Sequence, residues 1–107
     1  MKDTGYIVVL ITCASAEEAE RISRVLLERR KAACVNLASG ISSRFWWQGR
    51  LDSAEEVLLV VKSRASLLED IIRLVRENHS YQVPEVVALP IVGGNPDYLR
   101  WLEEETS

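Results

Sequence analysis

Three stretches of this 107-residue chain carry apolar residues at successive positions: Tyr6 to Thr12 (YIVVLIT), Val57 to Val61 (VLLVV) and, after its first residue, Glu85 to Val92 (EVVALPIV). Successive side chains of a strand point to opposite faces of its sheet. A sheet built from such runs therefore has two apolar faces, and both need cover. The neighbours Trp46 and Trp47 make the same demand, because within one strand they face opposite ways. Burying an aromatic of that size is worth at least about 2 kcal/mol. Several left in water would exceed the apolar patch that a lone soluble chain carries. The pattern predicts helices on one face and a second copy of the chain on the other, since closed symmetry repeats one interface without open growth.

The remaining signals order the elements. Ser15 and Glu18 form a capping box ahead of Ala19, Ile22, Val25 and Leu26, which predicts a first helix over 16–30, with Arg29, Arg30 and Lys31 at its negative end. Residues 32–48 read as a long second strand, bent or bulged at Gly40. A polar turn, GRLDS from Gly49, then leads to a third strand over 54–62, closing a hairpin. Ser66 and Glu69 suggest a second capping box, and Leu68, Ile71, Ile72 and Val75 give a helix over 67–78. Pro90 in the fourth strand, 85–92, removes a ladder donor and places that strand at an edge. Asn95 and Pro96 start a short terminal helix. The order βαββαβ plus a helix is the split βαβ plan: an α+β, ferredoxin-like fold in one domain spanning 1–107, with strand three between strands one and two. The terminal helix, about 15 Å long at about 1.5 Å per residue, is too short to cover the second face alone.

Composition narrows the function. Thirteen Lys and Arg against 16 Asp and Glu give a net charge of −3, which offers no footprint for nucleic acid. No apolar run approaches the roughly 20 residues that cross a bilayer, and the short polar start lacks a leader pattern. A cytoplasmic protein without a membrane partner is expected. The two cysteines, Cys13 and Cys34, lie at opposite ends of parallel strands in this topology, so no intrachain disulfide is expected. No nucleophile motif or phosphate-gripping glycine loop is present. Acylphosphatase-like chemistry on this fold would need an arginine in the loop where Cys13-Ala14-Ser15-Ala16 stands. The chain reads as a non-enzyme.

Several motifs together give the chain its affinities: Ala33-Cys34-Val35-Asn36, Ser43 with Trp47-x-Gly49, Glu56 and Lys62, His79-x-Tyr81-x-x-Pro84-Glu85, and Tyr98-Leu99-x-Trp101. From Tyr6 to Trp101 the sequence resembles the CutA divalent-cation tolerance proteins. The resemblance implies a homotrimer built like the PII signalling proteins, and a role in tolerance of copper or another divalent cation. It also marks departures. Ser80 and Gln82 stand in a segment commonly H-P-Y-[EQ], Phe45 replaces a tyrosine and Ser63 a threonine. Ile11 occupies the place of a strand-one cysteine associated with copper, and Asn78 that of a second histidine.

Copper favours thiolate, thioether and imidazole donors. The chain offers Cys13, Cys34, His79 and Met1, none at short ligand spacing. The candidate metal ligands are His79, Cys13 and, from a neighbouring copy, Glu85. A helix N-terminus beside Cys13 would lower its pKa and make it reactive, whereas the plain alternative for both cysteines is a free buried thiol. For His79 the plain alternative is a cap on the second helix or a hydrogen bond near Tyr81. Trp47, Glu56, Lys62 and Tyr81 form the candidate interface pocket, with register-fixing salt bridges as the alternative role. The rival to a metal-binding or signalling module is a rigid trimeric scaffold whose clefts meet a small anion or a partner protein, with metal binding incidental.

Overall fold

The computed structural model describes residues 4–107. Strand β1 (Tyr6–Cys13) leads to helix α1 (Ala16–Glu28). A long hairpin follows, made of β2 (Cys34–Trp47) and β3 (Arg50–Arg64), and then helix α2 (Leu68–Asn78), edge strand β4 (Val86–Pro90) and helix α3 (Pro96–Glu104). The sheet order is β2-β3-β1-β4 with every neighbouring pair antiparallel. That is the ferredoxin-like plan, with β3 central and Pro90 on an edge strand. Gly40, at φ +75°, lies in the register shift between Ala38 and Ile41, so β2 bends where expected.

Strands β2 and β4 are shorter than the expected 32–48 and 85–92 by one or two residues at their ends, and three local features differ from the sequence reading. Helix α1 stops at Glu28 because Arg30 turns left-handed (φ 61°), and Lys31 N–H donates back to Leu26 O at 2.9 Å. Ser66 does not cap α2. It lies within the single 3-10 turn Ala65–Leu67, where burial of Leu67 sets the chain's path, and no side chain caps the helix. The polar stretch from Arg50 to Ser53 belongs to β3 rather than to a turn. Gln48 and Gly49 alone make the loop, with φ 51° and 78°, the signature of a two-residue I′ hairpin. Arg50, Leu51, Asp52 and Ser53 are polar or exposed because the arm projects into solvent on both faces.

Pairing assigns the two faces. Ile7, Val9, Ile11 and Cys13 lie opposite Ser63, Val61, Leu59 and Val57, and all eight are buried under α1 and α2 with Ala19, Ile22, Leu26, Ile71, Leu74 and Val75. Val8 and Leu10 point the other way. They pair with Lys62 and Val60 on one side and with Leu89 and Val87 on the other. This second face is as apolar as the sequence implied, yet Val87 and Leu89 remain 48% and 53% exposed. Helix α3 covers only one end of it. Arg64 donates its Nε to Thr106 Oγ1 at 2.8 Å and its Nη2 to Thr106 O at 3.0 Å, and Leu102 is fully buried. Cys13 and Cys34 are free thiols, the first buried and the second half-buried. No helix among the described residues is long and apolar enough to cross a membrane.

Candidate functional site

Two adjoining features gather the polar side chains. The first is a cleft of about 910 Å³ between the hairpin arm and the loop after α2. The arm contributes Phe45, Trp46, Trp47, Asp52 and Glu56, and the loop contributes Tyr81 and Glu85. Antiparallel pairing places these arm residues side by side, since Phe45 lies opposite Asp52 and Trp46 opposite Leu51. Glu56 is 7% exposed, and its Oε2 accepts the Tyr81 hydroxyl at 2.9 Å. Burial, and then this hydrogen bond to a carboxylate, push Tyr81 up to about 12, so it stays a donor. None of the ion pairs among the described residues involves Glu56. Three carboxylates (Asp52, Glu56 and Glu85) face one guanidinium, that of Arg44, which already bonds Ser42 Oγ.

The second feature lies behind the loop, where donor atoms of Cys13, Glu18 and His79 fall within 4.8 Å of one another. Strand β1 positions Cys13 on its helix-covered face, the first turn of α1 positions Glu18, and the end of α2 positions His79. The His79 side chain is fully buried. Its Nδ1 accepts the Tyr81 N–H at 3.0 Å, which leaves the ring proton on Nε2, 2.7 Å from Thr12 O. Glu18 Oε1 accepts the Ser80 N–H at 2.7 Å and Oε2 the Ala14 N–H at 2.9 Å. Burial alone would raise the Glu18 carboxyl, but these bonds from Ala14 and Ser80, with His79 beside it, hold it below the ordinary range.

Of the sequence candidates, Trp47, Glu56 and Tyr81 meet in the cleft, joined by Glu85. Glu85 is exposed there and lies outside the Cys13–His79 cluster, where Glu18 stands instead. Lys62 does not reach the cleft within one chain. It sits on the open face of β3, and its Nζ bonds Asn36 Oδ1. Met1 lies outside the described residues. Cys13 is the free buried thiol of the plain alternative rather than an activated one. Burial first, and then the nearby carboxylates of Glu18 and Glu56, push its thiol up to about 12, outweighing any helix-end effect. The role of Glu18 went unread beyond capping, although Ser15-x-x-Glu18 was its signal. Its side chain reaches past the cap residue to Ala14 and across to Ser80. Asp52 was hidden in a stretch taken for a turn.

Residues 7–105 match the family model described as CutA1 divalent ion tolerance protein. The rice "Protein CutA 1, chloroplastic" is 45% identical over 94% of this chain and 56% of its own length. The Thermus thermophilus "Divalent-cation tolerance protein CutA" is 46% identical over 92% of this chain and 96% of its own. The crystal structure of rice CutA1 superposes with a TM-score of 0.94, at 43% identity, covering 98% of this chain and 96% of that one. Plant and mouse relatives are longer, and this chain spans 56–61% of their length.

Proposed function

Because this chain belongs to the CutA1 divalent ion tolerance family, we propose that it is a cytoplasmic homotrimer acting as a non-enzymatic metal-binding or signalling module whose working site is the arm cleft. The carrying observation is the buried Glu56 carboxylate, held by Tyr81 and in no ion pair, in a cleft where Asp52 and Glu85 add two more carboxylates against the single Arg44 guanidinium. A buried carboxylate lacking a counter-charge is costly, and a divalent cation with oxygen ligands supplies one. The uncovered apolar face carrying Val87 and Leu89 supports assembly with further copies of the chain, and the three-fold form is the one proposed for it. Copper prefers nitrogen and sulfur donors, so it would enter this oxygen-lined cleft as one divalent cation among others, and the cleft favours cations as a class. A non-enzymatic role accords with the family's description as tolerance proteins, and among the described residues Cys13 and His79 do not form a nucleophile and base pair, since both His79 nitrogens are engaged.

A second reading takes the cleft as a docking place for a partner protein, favoured by Trp46 and Leu51, 71% and 69% exposed on the arm. A small anion is disfavoured by the three carboxylates. Calorimetric titration with Zn²⁺ and Cu²⁺ tests the proposal. The wild-type protein binds stoichiometrically, and Glu56→Gln with Glu85→Gln weakens binding about tenfold or more, a loss of about 1.4 kcal/mol. Equal binding by the wild-type protein and the double variant contradicts it.

A further inference from the structure

We infer that Cys13, Glu18 and His79, despite donor atoms within 4.8 Å of one another, are not this chain's metal centre but the lock that positions the cleft wall bearing Ser80 and Tyr81. The inference deepens the reading of the cleft as the working site, naming what sets its geometry.

A metal ion at the trio would need a ring nitrogen, a thiolate and a carboxylate oxygen. Neither ring nitrogen is free. Nδ1 holds the Tyr81 N–H at 3.0 Å, and Nε2 carries the proton it gives to Thr12 O at 2.7 Å. Ligation through Nε2 would have to expel that proton, and Nδ1 cannot take it while it accepts from Tyr81. Ligation through Nδ1 would strip the Tyr81 amide. The two Glu18 oxygens already hold the Ala14 and Ser80 amides. With the His79 and Glu18 side chains 0% and 4% exposed, each lost bond leaves a buried polar group without water to replace it.

The same bonds perform a different task. They tie four places together: the end of β1 at Thr12, the turn at Ala14, the first turn of α1 at Glu18, and the chain directly after α2. Two successive amides, those of Ser80 and Tyr81, are fixed by side chains from behind. The His79 ring packs on the Tyr81 ring, with centroids 4.7 Å apart and planes tilted by 48°. Held this way, Tyr81 delivers its hydroxyl to Glu56 across the cleft. His79 is therefore a positioning residue acting on Glu56 through Tyr81.

Amide hydrogen exchange and cobalt spectroscopy test the lock on the full chain. His79→Asn keeps an acceptor near the place of Nδ1, and His79→Gln keeps a donor near that of Nε2. The Tyr81 amide should exchange about tenfold faster or more in His79→Ala and His79→Gln, and return close to the wild-type rate in His79→Asn. Co²⁺ added to the reduced wild-type protein should give no thiolate-to-cobalt absorption that depends on Cys13. The inference is overturned by a Tyr81 amide that exchanges at the wild-type rate in His79→Ala. It is equally overturned by a cobalt–thiolate band in the wild-type protein that vanishes in Cys13→Ala. The cobalt measurement needs no variant of His79, so it decides even where His79→Ala fails to fold. The Zn²⁺ titration of the Glu56 and Glu85 variants reports on the cleft alone, and failure there leaves the exchange and cobalt outcomes separately readable.

Discussion

Glu18 ties the stability of this molecule to pH. It is 3% exposed, and both of its oxygens accept backbone amides. Its native pKa lies below the unfolded value of about 4.3, so its contribution is complete above that value and is lost as pH falls through the native one. In Glu18→Gln, denaturant melts should show a flatter stability curve below about pH 5 than the wild-type protein, and at pH 7 a loss of about 3 kcal/mol for two charge-assisted bonds. An unchanged slope contradicts this assignment. Cys13 gives a second check: with its thiol pushed up to about 12, it should resist iodoacetamide at pH 8 in the native protein and react only on unfolding. At this scale the sequence revealed the cap and concealed the network. Ser15 and Glu18 stand three positions apart, whereas the Ser80 amide that completes the carboxylate's shell is 62 positions away. The charge environment of Cys13 was likewise set by side chains that only the fold brings near.

The hairpin arm shows what periodicity captures and what it misses. Helices were readable because their burial repeats at the helical period, as at Ile71, Leu74 and Val75 in α2, and β1 because its apolar run is unbroken, although only Ile7, Val9 and Ile11 of it face the helices. The arm has no buried stripe, so Arg50 to Ser53 looked like a loop although they pair with Trp47 to Arg44. The readable signal there was Gly49 itself. At φ +78° and with open space where a Cβ would stand, Gly49→Ala should cost about 1 kcal/mol through backbone conformation alone. Because no packing changes, thermal melts should show that loss without disturbing the cleft's tryptophan fluorescence. A neutral substitution would contradict the I′ turn.

For the whole molecule, the decisive property is the sheet face that α1 and α2 leave uncovered. The expectation of two apolar faces came from strands without polar alternation, and the pairing confirms that Val8, Leu10, Val60, Val87 and Leu89 share a face. What covers that face could not be read from one chain, since strand patterning demands a partner without naming its symmetry. Lys62 belongs to the same question. It lies on this face away from the Glu56 cleft of its own chain, bonded to Asn36, and Lys62→Gln should alter assembly more than it alters Zn²⁺ affinity. The most direct test is sedimentation equilibrium of the dilute protein beside a Val87→Lys, Leu89→Lys variant. The account predicts a folded wild-type species of about 36 kDa, three times the 12.1 kDa chain, and dissociation of the variant. A folded wild-type protein that sediments at 12.1 kDa contradicts it.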